Sequence, residues 1–348
     1  MKEGCWIDKK EWFRARKWGV FHHYLNALQN NADSVNSKGE ETDWNDCVNA
    51  LNTDWLAEQL HEMGAGYLMF TIMQRSRHMI APNAAYDAIT GYKPGEACSE
   101  RDLIADLIDS LSKYDIPLFL YYTGDGPGLD GRAARAFGCP TEIPGASVDD
   151  FLDKWLAVLR EYSLRYGEKI GGWWIDGAYP PCGFPTPDAP GIGRIREAAL
   201  AGNPNALFSA NHFGCFHGGG TRVLPEVGEV IFGNFYHSIA QPTAYDDYSA
   251  GEIVSFDAYP EEREIGGAVP HVLSFLGIPA QPVKVYEGWG RPGCKYSPEY
   301  LRAYVDCFNR LGGVVSLDAC LMRDGSIDSA QRKALAALRS LREREGGQ

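Results

Sequence analysis

Short apolar runs alternate with helical patterns along nearly the whole chain, and that alternation is the mark of a parallel sheet wrapped by helices. The strand candidates are "GVFHHY", "GYLMFTI", "LFLYYTG", "GGWWIDG", "ALFSAN", "EIVSFDA", "HVLSFLG" and "GVVSLDA". Between them lie segments of helical period. In "DWLAEQLHEMG" the residues Leu56, Leu60 and Met63 recur on one face and a glycine closes the end. Further helices are predicted in "RDLIADLIDSLSKY", "VDDFLDKWLAVLREYSLRYG", "IGRIREAALAG", "SPEYLRAYVDCFNRLGG" and "DSAQRKALAALRSLRER". Eight strands with interspersed helices in 348 residues predict an α/β fold of the TIM-type (β/α)8 barrel class, irregular in its second half, where Gly and Pro crowd residues 202 to 295. No linker or repeat divides the chain, so residues 1–348 are expected to form one catalytic domain.

A barrel carries its chemistry at the C-terminal ends of its strands. Polar residues stand there in succession: His22 and His23 after the first strand, Gln74, Arg75 and His78 after the second, and Tyr121 and Tyr122 at the third. Asp176 ends the fourth, Asn211 and His212 the fifth, and Asp257 the sixth. Asp176 closes "GGWWID", an otherwise buried run, where an unpartnered charge would be costly. A cap or turn is the ordinary fate of an Asp-Gly pair, but a series of polar groups at consecutive strand ends is more than capping requires.

Several segments together resemble the α-L-fucosidase family of retaining glycoside hydrolases. "EWFRARKWGVFHHYL" is similar to the family's opening pattern, "ERDLIADLIDSLSKYDIPLFLYYTG" to its Arg-Asp helix and third strand, and "WWIDG" to the Trp-Phe-Asp-Gly that carries the nucleophile. The stretch from Lys295 to Leu341 resembles the closing helix, Gly-Gly strand and last helix. The resemblance implies a (β/α)8 barrel, without an appended β-sandwich, that hydrolyses a terminal α-linked sugar with retention. It makes Asp176 the nucleophile and His23 a ligand of sugar hydroxyls. Two motifs depart from the pattern. The family's Lys-His-His-Asp-Gly-Phe reads "IMQRSRH" here, and its Trp-Glu near residue 271 reads "VPHVLSF".

Retaining hydrolysis needs a second carboxyl group about 5 to 5.5 Å from the nucleophile. The candidates are Glu252, Glu261, Glu262 and Glu287. Glu252 opens the strand expected in "EIVSF", which would put it at the inert bottom of the barrel, so Glu261 in "FDAYPEER" is the expected acid/base and Glu287 in "VYEGWG" the next choice. His22, His23, Gln74, Arg75, His78, Tyr122, Trp174, Asn211 and Trp289 are the expected substrate-binding residues. The planar forks of Arg75 and Arg77 would suit a carboxylate or sulfate, which opens the substrate class to fucose or a related acidic sugar. A barrel that binds carbohydrate but has lost efficient catalysis is the alternative, and a weaker one is a hydrolase or lyase built on His22, His23 and His212.

Composition narrows the partners. A net charge of −13 argues against nucleic acid and against an anionic membrane surface, which leaves a carbohydrate as the expected partner and a homo-oligomer compatible with it. No cofactor is implied. His212, Cys215 and His217 in "HFGCFHGGG" could ligate zinc only with a fourth ligand from afar, and no metal is expected. Nine Cys without a CxxC pair fit reduced thiols, and with no apolar leader pattern at the start they predict a cytoplasmic protein, or a secreted or periplasmic one whose leader has been removed.

Overall fold

The structure is a computed structural model that describes residues 8–212, 220–224, 228–232, 239, 241–279 and 288–343. Seven parallel strands form one curled sheet in the order β5-β4-β3-β2-β1-β9-β8. They are β1 (Trp18–His22), β2 (Leu68–Thr71), β3 (Leu118–Thr123), β4 (Ile170–Asp176), β5 (Leu207–Ala210), β8 (His271–Phe275) and β9 (Val314–Asp318). A separate antiparallel pair, β6 (Gly220–Leu224) and β7 (Gly228–Phe232), follows β5. Seven of the eight expected strands are therefore in the sheet, in a single parallel direction.

Helices cover the outer face. Thr53–Met63 shows how the sequence sets their ends: the Asn52 side chain accepts from the Trp55 amide at the start, and Gly64 in the left-handed region stops the helix. Its Leu56, Leu60 and Met63 are buried, as the period predicts. Strand alternation then divides the core in two. Val20, Phe70, Leu120, Tyr122, Trp173 and Ile175 face the helices. Phe21, Met69, Phe119, Tyr121, Trp174 and Leu273 fill the concave side. The helix Lys9–Arg16 plugs the bottom with Phe13, whose ring lies 5.6 Å from Phe119 and 5.0 Å from Tyr248.

Among the described residues the sheet does not close. The strand expected at 252–258 is absent, and an irregular segment over 247–253 occupies the gap between β5 and β8. On one side Ser249 N donates to Val269 O (3.0 Å), Leu273 N to Gly251 O (2.8 Å) and Ile253 N to Leu273 O (2.9 Å). On the other, Asp247 N donates to Phe208 O (2.8 Å) and two carboxyl groups take the remaining amides: Phe208 N donates to Asp247 Oδ2 (3.0 Å) and Ala210 N to Asp246 Oδ1 (2.8 Å). Gly251 causes the irregularity. It sits at φ +63°, and a Cβ there would fall 1.9 Å from the His271 carbonyl oxygen. Ile253 in irregular chain and Phe256 in a turn are buried without forming a strand, so their apolar pattern imitated one that begins at Glu252.

Candidate active site

At the C-terminal ends of the strands lies a cavity of about 280 Å3 lined by Phe21, His23, Gln74, Tyr121, Trp174, Asp176, Glu252 and Trp289, with Leu25, Ala27, Leu28 and Leu273. That is just below the small end of the usual range for organic ligands, about 300–1,000 Å3, and suits a single sugar ring. Asp176, the last residue of β4, is held by four donors. Tyr121 Oη donates to Oδ2 (2.6 Å), while Gly177 N (2.9 Å), Asn211 Nδ2 (3.2 Å) and Tyr179 Oη donate to Oδ1. Tyr121 is buried and Tyr179 partly so, and desolvation with the charge of Asp176 raises the pKa of both well above the ordinary value and keeps them neutral donors. Gly177 at φ +70° makes the turn possible, since a Cβ there would meet Asp125 Oδ1 at 2.8 Å.

Glu252, not Glu261, stands with Asp176. The Asn211 amide nitrogen lies 2.7 Å from Glu252 Oε2 and 3.2 Å from Asp176 Oδ1. The two oxygens are thus no farther apart than two hydrogen bonds laid end to end, roughly 6 Å. Burial raises the Glu252 carboxyl well above the carboxylate range, and the charge of Asp176 raises it further; the Asn211 hydrogen bond opposes both. The segment running beside β8 reaches its upper end at Glu252, which pairs with Leu273. Glu252 is therefore on the cavity side of the sheet, with the C-terminal strand ends, against the sequence expectation.

Glu261 and Glu262 are exposed and lie elsewhere. Their neighbour Arg263 gives its carbonyl to Arg14 of the helix before β1 (2.9 Å), and Glu264 pairs with Lys10 (3.2 Å). This places them at the bottom face, away from the cavity. Glu287 lies outside the described residues, as do Cys215 and His217. His212 is buried, with Nε2 2.8 Å from Phe184 O.

The adjacent pairs at the strand ends sort by parity. His23 lines the cavity, its Nδ1 2.9 Å from Asp318 Oδ1, and Trp289 meets its ring edge-on at 5.8 Å. His22 points to the outer layer, where Nδ1 contacts Ala319 O at 2.7 Å and burial lowers its pKa to about 4. Tyr121 stacks on Trp174 at 5.4 Å on the concave side. Tyr122 instead stacks on Trp155 at 4.9 Å among the helices and cannot touch a sugar in the cavity. Two further expectations are corrected. His78 packs edge-on against Trp44 (5.6 Å) and is not on the cavity wall. Arg75 is spent on two carboxylates, Asp125 (2.9 Å) and Glu142 (2.6 Å). Gln74 and Trp289 line the cavity, but Asn211 is buried behind the two carboxylates. Asp257 is exposed.

Three residues of this site escaped the sequence reading. Tyr179 follows Asp176 by three positions in "DGAYPP", where a tyrosine after a glycine turn could have been placed back over the carboxylate. Asp318 ends its strand in "SLDA" as Asp176 does in "WWIDG". Asp125 is the third: burial pushes it up to about 6, the charge of Asp176 adds to that, and Thr123 and Arg75 hold it down.

No family model matches the sequence, and no curated protein matches it. Solved structures do match over almost the whole chain. The α-L-fucosidase AlfC from Lactobacillus casei in complex with α-L-fucose product superposes with a TM-score of 0.60 at 17% identity, covering 98% of this chain and 99% of that one. The endo-fucoidan hydrolase P5AFcnA from glycoside hydrolase family 107 gives 0.67 at 13% identity, covering 98% and 95%. A second endo-fucoidan hydrolase, MfFcnA4, gives 0.64 at 13% identity over 96% of this chain and 53% of its own. The chain thus has the fold of these glycoside hydrolases, the resemblance read from its motifs.

Proposed function

We propose that this chain is a retaining glycoside hydrolase, a single catalytic barrel that releases a terminal α-linked fucose-like sugar, with Asp176 as nucleophile and Glu252 as acid/base. The observation that carries the proposal is the pair of carboxyl groups bridged by one Asn211 amide at the cavity wall. Their spacing is nearer the about 5–5.5 Å of retaining enzymes than the about 6.5–9.5 Å that leaves room for a water. Their surroundings also divide the roles. Four donors favour a charged, attacking Asp176, whereas burial beside that charge keeps Glu252 protonated, ready to give its proton to the leaving oxygen. Trp174 and Trp289 offer apolar faces to the ring. A neutral sugar fits better than an acidic one, because the cavity wall carries no Lys or Arg among its described residues and Arg75 is already paired.

The test is turnover of 4-nitrophenyl α-L-fucoside, whose leaving group needs little acid assistance. Asp176→Ala should abolish it. Glu252→Ala should keep the first step and slow release of the sugar, with azide restoring turnover through a fucosyl azide of retained configuration. Unchanged kinetics in Glu252→Ala, or full activity in Asp176→Ala, would contradict the assignment. Fucose binding without any turnover would favour a carbohydrate-binding barrel.

A further inference from the structure

Asn211 is almost fully buried, does not reach the cavity, and holds both carboxylates with one nitrogen. Its Oδ1 accepts no hydrogen bond from a described residue, so only the donating end of the amide is engaged. Nδ2 has two hydrogens and three acceptors within reach: Glu252 Oε2 at 2.7 Å, Asp176 Oδ1 at 3.2 Å and Tyr179 Oη at 3.2 Å. Resting on the reading above, we infer that Asn211 is a positioning residue that carries hydrogen-bond support from one carboxylate to the other as the negative charge moves between them during the double displacement.

In the resting site the charge is on Asp176. Because Oε2 of Glu252 accepts from Asn211, its proton belongs on Oε1, the oxygen left free to donate. In the first step Asp176 bonds to the anomeric carbon, the glycosidic C–O bond breaks, and the Glu252 proton goes to the leaving oxygen. Asp176 is then a neutral ester and Glu252 carries the charge. Of the two side chains acting on Glu252, one changes its influence at that moment. The repulsion from Asp176 vanishes, while the Asn211 hydrogen bond, which favours the charged form, persists. Glu252 is thus kept ionised for the second step. There the oxygen of a water bonds to the anomeric carbon, its proton goes to Glu252, the ester C–O bond breaks and Asp176 recovers its charge.

The other groups around Glu252 do not supply this support. Asp176 and Tyr179 face it from β4 and the turn after it, with Tyr121 of β3 and Asp125 behind them. His23, tied to Asp318, belongs to the same cavity wall. Lys295, from the loop before the helix Pro298–Arg310, is bonded through Nζ to Val254 O of the Glu252 segment at 2.7 Å. Among the hydrogen bonds described, Glu252 accepts its one side-chain bond from Asn211.

Removing the amide should therefore harm the second step more than the first. The experiment follows 4-nitrophenyl α-L-fucoside hydrolysis against pH in the full chain and in Asn211→Ala, Asn211→Leu and Glu252→Ala. Asn211→Leu keeps nearly the same shape without a donor or a charge, so it separates loss of the donor from loss of packing. For both Asn211 variants the acid limb of kcat should move up by about one pH unit, with kcat and KM falling together about tenfold near pH 6 and kcat/KM changing less than about threefold. A pre-steady-state burst of nitrophenol should accompany this, and azide, which needs no base, should restore kcat. If Glu252→Ala behaves as an acid/base variant but the Asn211 variants show an unmoved acid limb and an unchanged KM, the role of Asn211 is overturned while the catalytic pair stands. If Glu252→Ala itself is unaffected, the reading of the site fails, and this one with it.

Discussion

His23 on the edge of β1 and Asp318 at the end of β9 meet across adjacent strands, Nδ1 to Oδ1 at 2.9 Å, and Asp318 Oδ2 accepts the Gly290 amide at 2.7 Å. The buried carboxylate fixes the ring: Nδ1 carries the hydrogen, so Nε2 is the nitrogen available to a ligand hydroxyl as acceptor. Asp318→Asn would keep the Gly290 bond through its oxygen and turn its NH2 toward His23, which forces the opposite tautomer. KM for an aryl fucoside should rise about tenfold, roughly one hydrogen bond's worth, with kcat nearly unchanged. Steady-state kinetics at neutral pH checks it, and an unchanged KM would separate His23 from sugar binding.

Tyr179 gives a second expectation. Its hydroxyl donates to Asp176 Oδ1 and supports the charged form of the nucleophile. Without that donor the attacking carboxylate loses one of the bonds that hold and stabilise it. In Tyr179→Phe kcat/KM for an aryl fucoside should therefore fall about tenfold at neutral pH, the worth of one hydrogen bond to a charged group. Steady-state kinetics checks it, and an unchanged kcat/KM would remove Tyr179 from the support of the nucleophile.

Acid should weaken the fold at its core histidines. His271 is buried in the concave core between Ser249 O (2.9 Å) and Ser316 Oγ (2.8 Å), and burial lowers both His22 and His271 to about 4. Above pH 6.5 neither the folded nor the unfolded chain binds a proton at these rings. As pH falls from 6.5 toward 4, the unfolded chain takes up a proton at each and the folded chain does not, so these two rings cost a few kcal/mol of stability in all. The raised carboxyls of Asp125 and Glu252 act the other way over the same window, so a comparison of two proteins is needed to isolate the rings. Urea unfolding of the full chain and of His271→Asn at a series of pH values should show the variant losing less stability between pH 6.5 and 4. An equal pH dependence in the two would contradict the neutral buried state.

The curled parallel sheet was legible because its strands are buried on both faces and read as continuous apolar runs, as "LFLYYT" and "GGWWID" do. Parity was not, because both faces are apolar: nothing in "FLYYTG" says which tyrosine looks inward, and the register with β4 decides for Tyr121. Asp176 could be found since it interrupts such a run. Glu252 could not, because its position depends on Gly251 adopting a left-handed turn and on carboxyl groups of Asp246 and Asp247 taking two strand amides. Arg75 was misjudged for a related reason. Its partners, Asp125 and Glu142, come from loops far along the chain.

The central claim is a covalent bond between the sugar and Asp176, and trapping it is the most direct measurement. A 2-deoxy-2-fluoro-α-L-fucosyl fluoride should inactivate the protein with time, because the fluorine destabilises the oxocarbenium-like transition state of both steps while the good leaving group lets the first proceed. Mass spectrometry of the digested protein should then find the fluorosugar on the peptide containing "WWIDGAYPP", and fragmentation should place it on Asp176. A label on another residue, or turnover with an inverted first product by NMR and no label at all, would contradict the account.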